Sequence, residues 1–151
     1  VRNILSSISK LNEKINYVFI ISPFVNLNLK TKKNIKIIND SYDLQSIYSK
    51  CHLFLGAAGT SVYEVSSQKI PGIFFIISNN QKTTVESLEK MGQYFFLNKK
   101  YLQKKYSNQI LRLIKNIKKN YKSIKNFTEN SLLNIDDHGV SRVTKNILKF
   151  K

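Results

Sequence analysis

With 151 residues, the chain is long enough for one domain with a substantial core and too short for two ordinary ones. Its single cysteine excludes an internal disulfide and a multi-cysteine zinc site, so we expect a reducing, cytoplasmic setting and neither a metal nor a cofactor. The net charge of +16 suggests an anionic partner, but 22 lysines against 3 arginines argue against specific nucleic-acid recognition, in which arginine forks read base edges.

Short apolar runs predict the strands. "YVFIIS" at residues 17–22 is β-branched and aromatic, which is typical of a buried strand. Similar runs predict four more strands, "NIKIIND" (34–40), "HLFLG" (52–56), "GIFFIIS" (72–78) and "YFFL" (94–97). None of these runs approaches the roughly 20 apolar residues that a membrane-spanning helix needs.

Helical periodicity appears between these runs. Apolar residues at helical spacing predict a helix over residues 1–15, and others are predicted over 42–50, 61–69 and 81–92, the last with Gly92 as its C′ cap. A basic helix over 101–120, a Ser/Asn/Lys-rich joint and a closing helix over about 138–150 follow. Alternating strands and helices predict an α/β fold, a doubly wound parallel sheet with helices on both faces, in a single domain spanning residues 1–151.

Ligands of open parallel sheets bind beyond the carboxyl ends of the strands. Three predicted strand-to-helix loops carry polar or small residues there, "NDSYD" (39–43), "GAAGTS" (56–61) and "SNNQK" (78–82). Asp40 and Asp43 are candidates for an acid–base pair, although we favour the interpretation of a loop residue beside a first-turn dipole partner. His52 and His138 have no second ligand at a metal-like spacing, and we interpret both as ordinary surface or partly buried histidines.

"GAAGTSVYE" (56–64) permits two interpretations. Gly56 and Gly59 lack Cβ atoms where a phosphate could approach, and the amides of residues 59–61 would form an anion site at a helix start. The spacing matches neither the dinucleotide fingerprint, the Walker loop nor the hydrolase elbow. Alternatively, Ser61 and Glu64 form a capping box, which leaves both glycines unexplained.

The third loop is also open to two interpretations. Asn79 or Asn80 could cap the following helix, and turn chemistry alone would account for them. Gln81 is less expected at a helix start, and its amide could bind a sugar hydroxyl.

A basic segment follows the last predicted strand. Between Lys90 and Thr128 there are eleven basic residues and no acid. This segment could face an anionic membrane or polymer, or it could be a solvated helix face.

Taken together, these loops resemble a known family. The block from residue 43 to 92 resembles the C-terminal half of nucleotide-sugar enzymes of the two-domain glycosyltransferase B type. It looks most like the pseudaminic-acid pathway hydrolase that cleaves a UDP-linked sugar, and like spore-coat polysaccharide biosynthesis proteins. That family has a "GAAGSTSWE"-like turn, then "G-L-P" and "A-D-N-Q", where this chain has "GAAGTSVYE", "KIP" (69–71) and "SNNQ" (78–81).

A later family-like pattern and one departure accompany this block. The pattern "D-x-x-G-x-x-R-V" is matched by Asp136, Gly139, Arg142 and Val143. The family's tryptophan before the glutamate is absent, since this chain has Val62-Tyr63 there. The lipid II-forming N-acetylglucosaminyltransferase shares a looser form of the block, which leaves hydrolysis and transfer both open.

The resemblance implies a Rossmann-like domain that binds a UDP-linked sugar. Gly59, Thr60 and Ser61 would offer backbone amides to the diphosphate, Gly56 would also lie at the nucleotide, and Glu64 would accept from the ribose hydroxyls. The segment from Ile38 to residue 41 would line the uracil, and Asn80 and Gln81 would face the sugar or the phosphates. The family's catalytic histidine belongs to an N-terminal domain, so we expect the chain to be a piece of a longer enzyme and inactive alone.

Two rivals come from other classes. One is a basic module that binds nucleic acid or an anionic membrane through Lys99–Lys125. The other is a phospho-receiver domain, which requires an acidic cluster at the strand ends and finds only Asp40 and Asp43 there.

Overall fold

The computed structural model describes residues 15–22, 24, 33–39, 41, 43–89, 94–131, 135–136 and 138–150. The helix predicted over residues 1–15, apart from Ile15 itself, lies outside these residues. So do Asp40 and the proposed cap Gly92.

The described residues contain five short strands where apolar runs predict them, and each hydrogen-bonded pair among these strands is parallel. They are β1 (Tyr17–Ile21), β2 (Ile35–Asn39), β3 (Phe54–Ala57), β4 (Gly72–Ile76) and β5 (Phe95–Asn98). Within the described residues they form two hydrogen-bonded groups, β1-β2 and β3-β4-β5. The prediction of an α/β, Rossmann-like fold with parallel strands is confirmed.

Six α-helices connect or follow these strands in the described part of the chain. They are α1 (Leu44–Tyr48), α2 (Ser61–Ser67), α3 (Gln81–Glu89), α4 (Ser107–Lys119), α5 (Tyr121–Glu129) and α6 (Gly139–Leu148). Two short 3-10 helices, Lys99–Leu102 and Lys104–Tyr106, lie between β5 and α4.

Two helix predictions after β5 are wrong. The basic helix does not begin at residue 101, because residues 99–106 form 3-10 turns in which the Asn98 side chain accepts from the Lys100 amide at 3.1 Å. The joint after residue 120 contains helix α5, whose Ile124 packs on the core and whose Thr128 is buried. Its polar composition hid this helix, because only one or two positions per turn need to be buried for tertiary packing to stabilise it.

Helices cover both faces of the β3-β4-β5 sheet, as predicted. Successive residues of β4 point to opposite faces, so Phe74 belongs to one buried cluster while Ile73 and Phe75 belong to the other. The first cluster joins residues of α1, α2 and α3 (Tyr48, Val62, Val65, Val85 and Leu88). The second joins residues of α4 (Ile110, Ile114 and Ile117).

The turn between α2 and β4 is a Schellman motif, in which the amide of Ile70 donates to the Val65 carbonyl at 3.2 Å and that of Lys69 to the Ser66 carbonyl at 3.0 Å. Lys69 itself has a φ of 53°, a left-handed conformation that favours glycine. Its carbonyl oxygen accepts from the Nζ of Lys125 at 2.6 Å, which ties α5 to this turn. Among the described helices, none has the length and apolar character required to cross a bilayer.

Candidate functional site

The loops after β3, β4 and β5 lie side by side. Ala57 pairs with Phe75, and Ile76 pairs with Asn98, so parallel register brings the carboxyl ends of all three strands to one edge of the sheet. Loop 58–60 and loop 77–80 are therefore neighbours at the edge where ligands of such sheets bind. This edge is the candidate site.

Gly56 has a packing role. It lies inside β3, and a Cβ there would stand 2.5 Å from the Cζ of Phe54. The Phe54 ring crosses the glycine to reach Tyr48, with centroids 5.6 Å apart, and Phe74, at 5.3 Å. The first glycine of the motif thus makes room for a core ring, and its presence needs no ligand.

Gly59 is different, because a Cβ at this position would meet nothing within 4 Å. Neither packing nor a left-handed conformation requires a glycine here. Within the described residues, the amides of Gly59, Thr60 and Ser61 donate to no backbone or side-chain acceptor. The loop therefore presents successive N–H donors beside a backbone that a ligand can approach closely.

The capping box between Ser61 and Glu64 is not formed. Helix α2 begins at Ser61, so the N-cap position falls on Thr60, which has helical backbone angles and no side-chain capping bond. The Glu64 amide reaches the Thr60 carbonyl at 3.4 Å instead of the Ser61 hydroxyl. Glu64 is therefore not engaged in helix capping.

The side chains of Ser61 and Glu64 face the hydroxyl of Tyr48, a residue that sequence reasoning missed. Tyr48 is 5% exposed, and its pKa is raised chiefly by burial and next by the charge of the Glu64 carboxylate. The hydroxyl of this buried tyrosine therefore lies close to both side chains at the rim of the site. The apolar spacing of α1 predicts that Tyr48 is buried, but no local pattern predicts a partner on the next helix.

The loop after β4 is held by its own side chains. The Oε1 of Gln81 accepts from the Ile77 amide at 2.9 Å, which leaves its amide NH2 group as the donor. The Ser78 hydroxyl donates to the Oδ1 of Asn80. Both side chains lie at the sheet edge beside loop 58–60, but their oxygens are occupied, so a sugar there would meet the amide donors.

Ile38 lies apart from these loops in the hydrogen-bonding pattern. It pairs with Ile20 in the β1-β2 group and is half buried.

Asp43 is the N-cap of α1, so its predicted place in the first turn is wrong by one position. The Ser46 side chain and amide, the latter at 3.0 Å, lower the pKa of the Asp43 carboxyl. Capping accounts for Asp43 without an acid–base role.

Other polar residues are in structural arrangements. The ring of His52 lies 5.6 Å from that of Tyr121, at its edge. The Asp136 carboxylate accepts a hydrogen bond from the His138 amide at 3.1 Å. It also accepts hydrogen bonds from both terminal guanidinium nitrogens of Arg142, at 2.7 and 2.8 Å. The family-like pattern at residues 136–143 is thus the start of α6. The described residues contain no cluster of three His, Cys, Asp or Glu side chains that could hold a metal ion.

Comparison with known proteins gives one structural likeness. No family model matches the sequence, and no curated protein matches it. The fold is similar to that of the solved structure titled Spinosyn Forosaminyltransferase SpnP, a glycosyltransferase, with a TM-score of 0.58 and 14% identity. The alignment covers 97% of this chain and 38% of that one, so the chain spans less than half the length of the protein that it resembles. This chain therefore has a Rossmann-like fold of the kind found within glycosyltransferases.

Proposed function

We propose that this chain is the nucleotide-sugar-binding domain of a glycosyltransferase B-type enzyme. The observation that carries the proposal is the likeness of nearly the whole chain to part of a glycosyltransferase, combined with an open, donor-rich loop at the carboxyl edge of the sheet. A UDP-linked sugar is the ligand that fits the quoted motifs. The whole enzyme would be a UDP-sugar hydrolase or a glycosyltransferase of surface-polysaccharide or pseudaminic-type sugar synthesis, with its catalytic base on a partner domain.

Each part of the site would have a defined task. The amides of Gly59, Thr60 and Ser61 would donate to the diphosphate and stabilise the charge that develops on it when the sugar bond breaks. Glu64 would accept from the ribose hydroxyls. Gln81 would donate from its NH2 group to the sugar or a phosphate. Ile38 would line the base only if the β1-β2 group approaches the same edge.

Calorimetric titration with UDP tests the proposal. We expect saturable binding, weakened at least about tenfold by Glu64→Ala because charged hydrogen bonds contribute about 1.5–3 kcal/mol. Gly59→Ala should also weaken binding, because its methyl group occupies the space open to the phosphates. Absence of binding at millimolar UDP would contradict the proposal.

A matched control separates ribose contact from net charge. Glu89→Ala removes an exposed carboxylate at the end of α3, far along the helix from the loops. We expect it to leave UDP affinity unchanged. Equal losses in Glu64→Ala and Glu89→Ala would assign the effect to long-range charge and remove Glu64 from the site.

A further inference from the structure

Charge is unevenly distributed between the two helical layers of the sheet. On the side of α1, α2 and α3, residues 43–89 carry four acids (Asp43, Glu64, Glu86 and Glu89) and three lysines. On the α4 side, residues 98–129 contain ten cations and one acid, Glu129, which pairs with Lys125. A general lysine bias in composition would load both layers alike, so the distribution is a property of this face.

The geometry of α4 concentrates these cations. Ile110, Ile114 and Ile117 are buried against the sheet. At 100° per residue, Arg112, Lys115 and Lys119 lie on the opposite side of the helix, and all three are exposed. The 3-10 helices lie on the same side of the sheet, because Tyr101 and Leu102 pack into the α4 cluster. Their lysines extend the same surface.

We propose that this surface binds an anionic lipid bilayer. It consists of the exposed cations Lys99, Lys104, Arg112, Lys115 and Lys119, together with the exposed Lys122 of α5, a helix that packs on the same cluster through Ile124, and we call it the basic face. Lysines near an anionic leaflet are attracted to it individually, and several together bind a protein to the membrane surface. The apolar side of α4 is buried against the sheet. The protein would therefore adsorb to the bilayer by charge, without insertion of α4.

Lys125 does not belong to the basic face. It is half buried, and its Nζ is held by the Lys69 carbonyl at 2.6 Å and by Glu129 at 3.4 Å. The cationic surface is therefore narrower than the span Lys99–Lys125 that the sequence suggests.

Single-stranded nucleic acid fits the basic face less well. Such ligands stack their bases on open aromatic rings. Here Lys100 lies over Tyr101, 5.5 Å from its ring centroid, and Lys105 lies over Tyr106 at 5.1 Å. The two rings also lie against each other, with centroids 5.1 Å apart. A lysine lies over each ring, so these two tyrosines offer less open ring surface for a stacked base.

Vesicle sedimentation tests the proposal. The protein is mixed with vesicles of phosphatidylcholine alone or with 30 mol% phosphatidylserine (about one lipid in three, an anionic density sufficient for polybasic binding). We expect binding only to the anionic vesicles and its loss at high salt. A variant with Lys99, Lys104, Lys119 and Lys122 all changed to Gln should lose more than about 100-fold in partitioning, at about fivefold per lysine.

A second variant with the same net charge provides the control. Lys33, Lys36, Lys50 and Lys145 are exposed and lie outside the basic face. Their replacement by Gln should reduce vesicle binding far less. Equal loss in both variants, no binding to anionic vesicles, or tighter binding to a nucleic-acid oligonucleotide than to vesicles would each overturn the proposal. UDP affinity should be unchanged in both variants. A negative result for membrane binding would therefore leave the nucleotide-binding proposal untouched, and the reverse also holds.

Discussion

Gly56 and Gly59 stand three residues apart and have different physical roles. The Phe54 ring fills the space over Gly56, whereas the space over Gly59 is open. We expect Gly56→Ala to lower the free energy of unfolding by about 1–3 kcal/mol, because the added methyl group overpacks the contact of Phe54 with Tyr48 and Phe74. Gly59→Ala should change it by less than about 0.5 kcal/mol. Urea denaturation of the two variants measures both values, and similar losses would mean that Gly59 also has a packing role.

Lys69 has a backbone conformation that its side chain disfavours. A left-handed conformation costs an L-residue about 1–2 kcal/mol, and glycine is the usual residue at this point of a Schellman motif. We therefore expect Lys69→Gly to be more stable than Lys69→Ala by about 1 kcal/mol in thermal or urea unfolding. Both variants lack the lysine side chain, so the difference between them reports only the backbone conformation. An alanine variant as stable as the glycine variant would show that this turn is not strained.

Asp136 titrates below its ordinary range. The Arg142 side chain and the His138 amide lower the pKa of the Asp136 carboxyl from 3.8 to about 2. Because the folded-state pKa is the lower one, this pair contributes stability above about pH 3.8 and loses it as the pH falls through 2. We expect Arg142→Gln to raise the pKa of Asp136 toward 3.8, as followed by carboxyl-carbon NMR. Arg112→Gln is the control and should leave this titration unchanged.

Part of the site could be predicted at the level of residues. The motif identified the loop of Gly59 to Ser61, which the structure places at the carboxyl edge of the sheet. It did not predict that Gly56 makes room for the Phe54 ring, because a missing Cβ can accommodate either an aromatic ring or a phosphate. Nor did it predict that Tyr48 lies near Ser61 and Glu64, because these side chains are more than ten residues apart and belong to different helices.

At the scale of elements, helix α5 is held by few contacts. Lys125 reaches across to the turn after α2, where its Nζ donates to the Lys69 carbonyl at 2.6 Å. We expect Lys125→Met, which keeps most of the apolar stem, to destabilise the fold by about 1–2 kcal/mol, because a partly buried carbonyl loses a charged donor. Lys122→Met on the same helix is exposed and should be nearly neutral. Equal stability of the two variants in urea denaturation would show that the Lys125 contact contributes nothing.

The elements differ in how far sequence could predict them. The strands were predicted to within about two residues, since each is a short apolar run bounded by polar or turn residues. The expectation that the first run is buried is wrong for Val18 and Ile20 of β1, which are exposed. Helix α5 was missed because its buried positions are few and include Thr128, a polar residue whose hydroxyl bonds to the Ile124 carbonyl at 2.9 Å. The α4 boundary was misplaced because 3-10 turns and α-helix share the same basic composition.

At the scale of the whole molecule, fold class followed from the alternation of strands and helices, but the distribution of charge did not. Composition gave a net charge of +16 and a basic segment. Only the sheet topology shows that the acids of α1 to α3 and the cations of α4 lie on opposite layers. Separation into layers depends on which helix crosses which face, and local sequence does not specify this.

The division of strands into two hydrogen-bonded groups has a consequence for amide hydrogen exchange. Strand β4 has neighbours on both sides and is buried over its first four residues. Among the described residues, the β1-β2 group has two strands, and Val18 and Ile20 of β1 are exposed at 42% and 40%. Two-stranded ladders are marginally stable by themselves, so the amides of β1 should exchange through local opening. The amides of β4 should exchange only through global unfolding. Denaturant should therefore accelerate exchange strongly in β4 and weakly in β1, and loop 58–60 after β3 is anchored to the slowly exchanging part.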